Sequence, residues 1–418
     1  MVASEKYGVS VDIGTTNITI QLTNLEDAKL INELTVINPQ RKYGEEIISR
    51  IDFARNPDNA SLLTDIVRKM VEEGISRLLQ KSKIDNTAVD SIVVVGNTVM
   101  HHLFFGISTN SLLKPPYTTD HKDAILIESS DVGLTLHRET LCYSPPVIQS
   151  FIGADAVAMM LASGFMDSNF PLVSIDVGTN TEIAALNRGS IWIASAASGP
   201  AFEGMSIECG TPGEDGAISN VEIDPTDLKP IYEVIGGGRP TGICGTGVIS
   251  AIASMLDTGI LYSRGSFNRG RNSPWLVSDT SIIHYIIAKA TETATHTNIV
   301  LTQPDVRMIQ QSKASIRAAL GMVLQSAGLE PSMVTRLYLT GVFGTGLVID
   351  DAVRTGLLPE MVNAEVNQVK GGASLGANLL HKPVFREAVQ KLVSRVNYIE
   401  LADNPEFKKK FYEHLPFP

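Results

Sequence analysis

The fold class that the sequence predicts is α/β, arranged as two lobes. Three observations carry it. A strand–turn–strand segment occurs twice, far apart in the chain. Stretches with strand and helix periodicity alternate along most of the remainder, which points to sheets flanked by helices. The chain has 418 residues, of which 44% are hydrophobic and 19% charged, too many for one ordinary core and enough for two or three.

The repeat comes first. Val9–Leu22 reads VSVDIGTTNITIQL and Val173–Leu186 reads VSIDVGTNTEIAAL, with six of fourteen positions identical when aligned without gaps. Each copy is a β-branched run, a Gly/Thr/Asn turn and a second β-type run, the pattern of a hairpin. Two unrelated hairpins are the alternative, but the match falls on Asp-x-Gly-Thr. Between the copies, Arg41–Asn56 and Ser61–Gln80 read as amphipathic helices, Ser91–Val95 as a buried strand and Thr98–Gly106 as a helix. Lys114–Pro146 is the least regular stretch, and Ala154–Ser163 is helical. The first lobe is therefore expected over residues 1–153 and the second over 154–418. In the second, Gly204–Gly242 reads as loops with short strands, Gly242–Asp257 as a Gly-rich turn entering an apolar helix, and Gln303–Ser326 as a long helix. Arg336–Gly341 is a strand, and Gly372–Leu380 and Phe385–Val396 are C-terminal helices with the option of packing back on the first lobe.

Composition removes several functions. The formal charge of −11 argues against a broad nucleic-acid surface, which needs a basic footprint. No apolar run is long enough for a membrane span, and the first residues lack the basic-then-apolar pattern of a signal peptide, so a cytoplasmic protein without membrane attachment is expected. Cys142, Cys209 and Cys244 have no metal-ligand or cluster spacing and read as free thiols in a reducing compartment. His101 and His102 are adjacent, so their side chains are expected to point in different directions, toward packing or solvent rather than a shared metal.

The hairpins carry the chemistry. A Gly-rich turn aims several backbone N–H groups at one spot, an anion nest suited to phosphate. Gly14 and Gly178 allow the close approach, while Thr15, Thr16 and Asn17 in one copy and Thr179, Asn180 and Thr181 in the other add polar donors. Asp12 and Asp176 would repel phosphate directly. They suit a Mg²⁺ ion, reached through water, whose role in phosphoryl transfer is positioning and charge neutralisation.

DIGTT (12–16) and DVGTNTE (176–182) resemble the two phosphate motifs of the actin-like ATPase superfamily of acetate and sugar kinases, heat-shock chaperones and actin. RLYLTGVFG (336–344), with Gly341 and Gly344, resembles its adenosine motif, although a strand ending in a glycine turn would look the same. GICGTG (242–247), with Gly245 and Gly247, resembles the turn that opens a nucleotide-side helix. FIGADA (151–156) resembles the sugar-kinase stretch whose Asp is a base. Asp155 is thus either a base for water or a hydroxyl, or a helix N-terminal carboxylate favoured by the dipole. The resemblance implies a two-lobed actin-like (ribonuclease H-like) ATPase fold with duplicated mixed sheets, binding ATP or ADP with Mg in a cleft between lobes.

A narrower resemblance spans nearly the whole chain. NPQRKYGEEIISRI (38–51), VVGNTVMHHLFFGI (94–107), FIGADAVAMML (151–161), SAASGPAFEGM (195–205), GICGTGVI (242–249) and FKKKFYEHLPFP (407–418) resemble the reductive activators of corrinoid-dependent enzymes. That family implies ATP-driven reduction of a corrinoid protein from Co(II) to Co(I), serving a methyltransferase system. Its members usually carry an iron–sulfur domain, often before the actin-like part, and no cysteine cluster for one stands in this sequence. A truncated chain, a separate iron–sulfur electron donor, or a loss of reductase function would each account for that, the first two being favoured together. A small-molecule kinase of the acetate or sugar kinase type, with Asp155 as base, is the enzyme alternative. A nucleotide-gated scaffold is the third, and a homodimer is left open.

Overall fold

The computed structural model describes residues 5–114, 117–119, 121–136, 139–278 and 282–418. It forms two compact units, one from Met1–Ser168 with Gly371–Tyr398, the other from Asn169–Lys370 with Ile399–Pro418. The boundary expected at 153/154 therefore lies at 168/169. The reason is helical: the Ala154–Ala162 helix is buried in the first unit, with Ala156 to Leu161 almost wholly covered.

The first unit is built on the hairpin of β1 (Tyr7–Ile13) and β2 (Asn17–Asn24). With β3 (Leu30–Ile37), β4 (Val89–Gly96), β5 (Ile125–Glu128) and β6 (Leu141–Ser144) it makes a sheet in the order β3-β2-β1-β4-β6-β5. β4 runs parallel to β1, and Ile13 lies opposite Gly96. The stretch expected as one helix over 41–56 is a 3₁₀ turn, Pro39–Tyr43, followed by α1 (Ile47–Phe53). The chain breaks at Gly44, where a Cβ would stand 2.6 Å from Ser49 Oγ and 2.8 Å from Arg50 N. α2 (Pro57–Ser82) starts at Asn56, whose side chain accepts from Asp58 N, with proline in the first turn. Its apolar stripe, Leu63, Val67, Val71, Ile75 and Leu78, is buried with Ile18, Ile20 and Leu22 of β2 in one core. Gly74 lets the helix approach, because a Cβ there would fall 2.3 Å from Ile20 Cδ1. α3 (Thr98–Phe105), capped by Asn97, follows β4, and α4 (Ala154–Ala162) completes the first segment.

The second unit repeats the design. β7 (Leu172–Val177) and β8 (Asn180–Asn187) form the second hairpin, extended by β9 (Ser190–Ala197). Two small sheets follow, β10 (Ala217–Ile223) with β11 (Pro230–Val234) and β12 (Gly242–Ile243), then β13 (Leu276–Val277) with β14 (His284–Ala288) and β15 (Ile299–Thr302). α5 (Gly245–Asp257) leaves β12. α6 spans Gln303–Ser326, the expected range, closed at its start by reciprocal bonds between Thr302 and Asp305. β16 (Arg336–Gly341), the expected strand, lies parallel to β7, so that Gly341 stands opposite Val177. After α7 (Ile349–Arg354), β17 (Glu365–Gln368) adds to β16.

The chain then returns to the first unit with α8 (Gly372–Leu379) and α9 (Pro383–Val393). Gly376 of α8 lies so close to α4 that a Cβ would fall 1.9 Å from the Ala158 carbonyl oxygen. Polar bonds set α8 against the sheet. Asn378 accepts from Ser10 Oγ at 2.6 Å and Thr23 Oγ1 at 3.1 Å, and donates to Gln21 Oε1 at 2.6 Å. His381 sits between Ser10 and Ser91 at 3.0 and 2.7 Å, and burial pushes its pKa down to about 3. α10 (Pro405–Glu413) packs on α6 in the second unit. Among the described residues no helix is long and apolar enough to cross a membrane.

Candidate functional site: two phosphate hairpins

In the first unit, Asp12 is the penultimate residue of β1, and Gly14, Thr15 and Thr16 form the turn before Asn17 opens β2. A Cβ on Gly14 would stand 2.7 Å from the Asn17 carbonyl oxygen, so the turn requires glycine. Its backing is polar and partly cationic. Asn38 Nδ2 donates to Gly14 O at 2.9 Å, and Asn38 N donates to Thr16 O at 2.8 Å. Asn97 Nδ2 donates to Thr15 Oγ1 at 3.1 Å. Arg50 is fully buried. Its guanidinium donates to Thr15 O at 2.5 Å and to Gly44 O at 2.7 Å, and burial, with Arg41 adding, pushes its pKa down to about 10. Ser374 of α8 donates to Asp12 Oδ2 at 3.4 Å.

In the second unit, Asp176 holds the matching place on β7, and Gly178 and Thr179 form the turn before Asn180 and Thr181 on β8. The backing here is neutral and acidic. Ser198 Oγ lies 3.0 Å from Gly178 O and 2.7 Å from Thr181 Oγ1. Thr179 Oγ1 donates to Glu203 Oε1 at 2.8 Å. Glu203 ends a 3₁₀ turn, Pro200–Glu203, bounded by Gly199 at φ +73° and Gly204 at φ +80°.

A glycine ends the parallel strand beside each hairpin. A Cβ on Gly96 would stand 2.8 Å from Ile13 O, and one on Gly341 would stand 2.1 Å from Val177 O and 2.6 Å from Asp176 Oδ1. Gly341 adopts φ +68°, a conformation that favours glycine. A Cβ on Gly344 would likewise meet the Val369 carbonyl oxygen, at 2.4 Å. The glycines of the GICGTG turn are buried. A Cβ on Gly245 would meet Phe202 O at 2.3 Å, and one on Gly247 would meet Ile218 O at 2.3 Å. Packing of α5 therefore accounts for both, and a nucleotide contact at either rests on the resemblance.

Asp155 is the second residue of α4 and accepts from Ala156 N at 2.7 Å. Burial of its carboxyl pushes the pKa up to about 6, against the pull of the backbone N–H groups. His101 and His102, expected to diverge, approach one another: their Nδ1 atoms lie 3.2 Å apart on α3, and His102 Nε2 lies 2.6 Å from Thr119 Oγ1. Burial pushes the two rings down to about 3 and about 4, which keeps them neutral. The three cysteines are free, with Cys142 in the first unit and Cys209 and Cys244 in the second. Among the described residues, no group of three His, Cys, Asp or Glu side chains has the arrangement of a metal site.

The donor set fits a hydrated Mg²⁺ and phosphate oxygens, since each hairpin joins a strand-end carboxylate to a glycine turn carrying hydroxyls. It does not fit an iron–sulfur cluster, which needs convergent thiolates. The sequence reading missed Asn38, Arg50, Asn97, Ser374 and Glu203. Asn97 and Glu203 carried a signal, standing beside glycines in VVVGN and PAFEG; the others are brought in by tertiary structure.

Residues 171–418 match the family described as the C-terminal domain of RACo, the ASKHA domain, and residues 7–168 match the RACo middle region. The chain is similar to the corrinoid activation enzyme RamQ of Eubacterium limosum, with 30% identity over 420 residues, covering 98% of this chain and 70% of that protein. It is also similar to the [Co(II) methylated amine-specific corrinoid protein] reductase of Methanosarcina barkeri, with 28% identity over 390 residues, covering 84% of this chain and 66% of that one. A solved structure of a reductive activator for corrinoid,iron-sulfur protein superimposes with a TM-score of 0.91 at 29% identity, over 100% of this chain and 67% of that one. The duplicated hairpin sheets are thus those of the ASKHA, actin-like ATPase class. Within that class, the chain belongs to the RACo family. It spans about two thirds of the length of these relatives.

Proposed function

We propose that this chain is the ATP-hydrolysing part of a reductive activator that returns a corrinoid protein from Co(II) to Co(I). The observation that carries the nucleotide half is the repeated motif: two hairpins of one design, each with an aspartate at the strand end and a glycine on the neighbouring parallel strand. The corrinoid half is supported by the relatives named above. Backbone N–H groups at Gly14–Thr16, and likewise at Gly178–Thr179, would orient phosphate oxygens, and the Asp12 and Asp176 carboxylates would each suit a hydrated Mg²⁺. Bound Mg²⁺ supplies neutralisation of the phosphate charge. Asp155, titrating near pH 6, takes a proton from the attacking water as that oxygen bonds to the γ-phosphorus. The bond to the β-phosphate oxygen breaks, and its electron pair leaves with ADP. The electron comes from an iron–sulfur donor outside the described cysteines, and a cytoplasmic setting belongs to the same proposal.

The test is ATP turnover by the purified chain with and without a corrinoid protein, alongside the visible spectrum of the cobalt centre when a low-potential donor is supplied. Stimulated turnover and appearance of the Co(I) band are expected. Asp155 favours one second reading, a kinase, since a poised carboxyl also activates an acceptor hydroxyl. Turnover raised by a sugar or carboxylate and indifferent to corrinoid protein would establish that reading instead.

A further inference from the structure

Asn38 and Arg50 lie in one stretch, 38–51, to which the nucleotide reading gives no role. Together they hold the back of the first hairpin turn. Three successive main-chain oxygens accept from them: Gly14 O from Asn38 Nδ2 at 2.9 Å, Thr15 O from the Arg50 guanidinium at 2.5 Å, and Thr16 O from Asn38 N at 2.8 Å. The two side chains are neighbours, since Asn38 Nδ2 reaches Met100 Sδ at 3.6 Å and Arg50 Nη1 reaches the same sulfur at 3.2 Å. The Gly14 and Thr15 carbonyls therefore face one side. In a trans peptide the N–H points opposite the carbonyl, so the Thr15 and Thr16 N–H groups face the other side. Adjacent N–H groups on one side of a turn make an anion nest. Arg50 is fully buried on α1, and a pKa of about 10 leaves it charged at neutral pH. The charged side chain acting on it is Arg41, which repels. Among the described residues no carboxylate forms an ion pair with Arg50. Its acidic neighbours in sequence are exposed, Glu45 facing Arg41 at 4.0 Å and Asp52 facing Arg55 at 3.0 Å. At the second turn the matching oxygen, of Thr179, accepts from neutral donors, Gly199 N at 2.9 Å and Ser198 Oγ at 3.3 Å.

We propose that Arg50 is a positioning residue for nucleotide phosphate at the first hairpin, acting through the Thr15 carbonyl from behind the turn. Its bond fixes the peptide that presents the Thr16 N–H and polarises it toward the ligand side. Its charge is carried at short range into the same turn, in an interior where such a charge is weakly screened. A polyphosphate at the turn supplies the countercharge that the surrounding side chains do not. The first hairpin thereby grips phosphate harder than the second, whose backing is neutral and acidic. This inference rests on the nucleotide reading and adds to it which turn dominates phosphate affinity and why.

The test is calorimetric titration of the whole chain with ADP and with adenosine, in wild type and three variants. Arg50→Gln should weaken ADP binding by about tenfold or more and leave adenosine binding unchanged, because the lost interaction is with phosphate alone. Arg50→Lys keeps the charge and should lie closer to wild type than Arg50→Gln. Thr64→Val is the control for lost stability. It removes a buried bond to Leu103 O at 2.7 Å, elsewhere in the first unit, and should bind ADP as wild type does. A second measurement needs no variant: the Arg50 Nε–H signal, followed by NMR in the wild-type chain, should shift with ADP and stay in place with adenosine. Wild-type ADP affinity in a folded Arg50→Gln chain would overturn the proposal. An equal loss in Thr64→Val, or an Arg50 signal unmoved by saturating ADP, would do the same. In each of those outcomes wild type still binds ADP, so the nucleotide reading stands. A wild-type chain that bound no ADP would overturn that reading and this inference with it.

Discussion

The two hairpins share Asp-x-Gly-Thr, yet their connections differ by one residue. In the first, Ile13 pairs with Ile18; in the second, Val177 pairs with Thr181. The second turn is one residue shorter, so the ungapped sequence match continues on β2 and β8 out of structural register. The buried residues follow the shift: Ile18 and Ile20 face the core in one copy, Thr181 and Ile183 in the other. The surroundings diverge as well. A buried arginine and two asparagines hold the first turn, whereas a serine and a glutamate hold the second. What persists is the carboxylate, the glycine and the neighbouring strand's glycine. The repeat keeps the residues proposed to face phosphate, while the scaffold behind them differs.

That contrast is open to attack by substitution. Arg50→Ala should have the largest effect, removing charged bonds to two main-chain oxygens in a buried site, and should destabilise the first unit by about 4 kcal/mol in urea unfolding. A loss below about 1 kcal/mol would mean that the buried cation is not what holds the first turn. Asp12→Ala and Asp176→Ala should each cut Mg-dependent hydrolysis at least about 100-fold with little change in melting temperature. If only one of them did so, the equivalence of the hairpins would fail.

Asp155→Asn tests whether the poised carboxyl is specific to the first unit. Its pKa is raised in the folded state, so its contribution to stability is present below the unfolded value of 3.8 and is lost as pH rises through about 6. The amide avoids that loss, so the variant should be more stable than wild type by about 2 kcal/mol at pH 8, with the gap closing toward pH 4. Its kcat should fall while KM changes little, and wild-type activity should decline below about pH 6. A variant with wild-type kcat would return Asp155 to the role of a helix-end carboxylate. The smallest effect belongs to Ser198→Ala behind the second turn, about 1 kcal/mol. A cost matching that of Arg50→Ala would erase the distinction between the two backings.

Local pattern made much of this fold legible. Both hairpins, α6 and β16 were readable because their periodicity and turn residues are contained in short windows. The 168/169 boundary was not, since the hold on α4 comes from α8, far along the chain. At the candidate site, Asp-x-Gly-Thr was legible as a turn motif, and it stands at the turn of both hairpins. Gly245 and Gly247 show the limit: glycine permits close approach to a carbonyl as readily as to a ligand, and here Phe202 and Ile218 supply the carbonyls. Arg50 read as one charge on an amphipathic face, and only tertiary structure buries it. The approach of His101 to His102 likewise depends on their shared surroundings.

The return of α8 to the first unit has a consequence for biosynthesis. The ribosome delivers β1 and β2 long before Ser374, Asn378 and His381. Until they emerge, Asp12, Ser10 and Ser91 lack the partners that α8 and His381 provide. β1 therefore belongs to a unit completed only after most of the second unit has been translated. A nascent chain interrupted before Gly371 would hold the first hairpin with its Ser374–Asp12 contact unmade, so arrested translation would leave the first unit without α8.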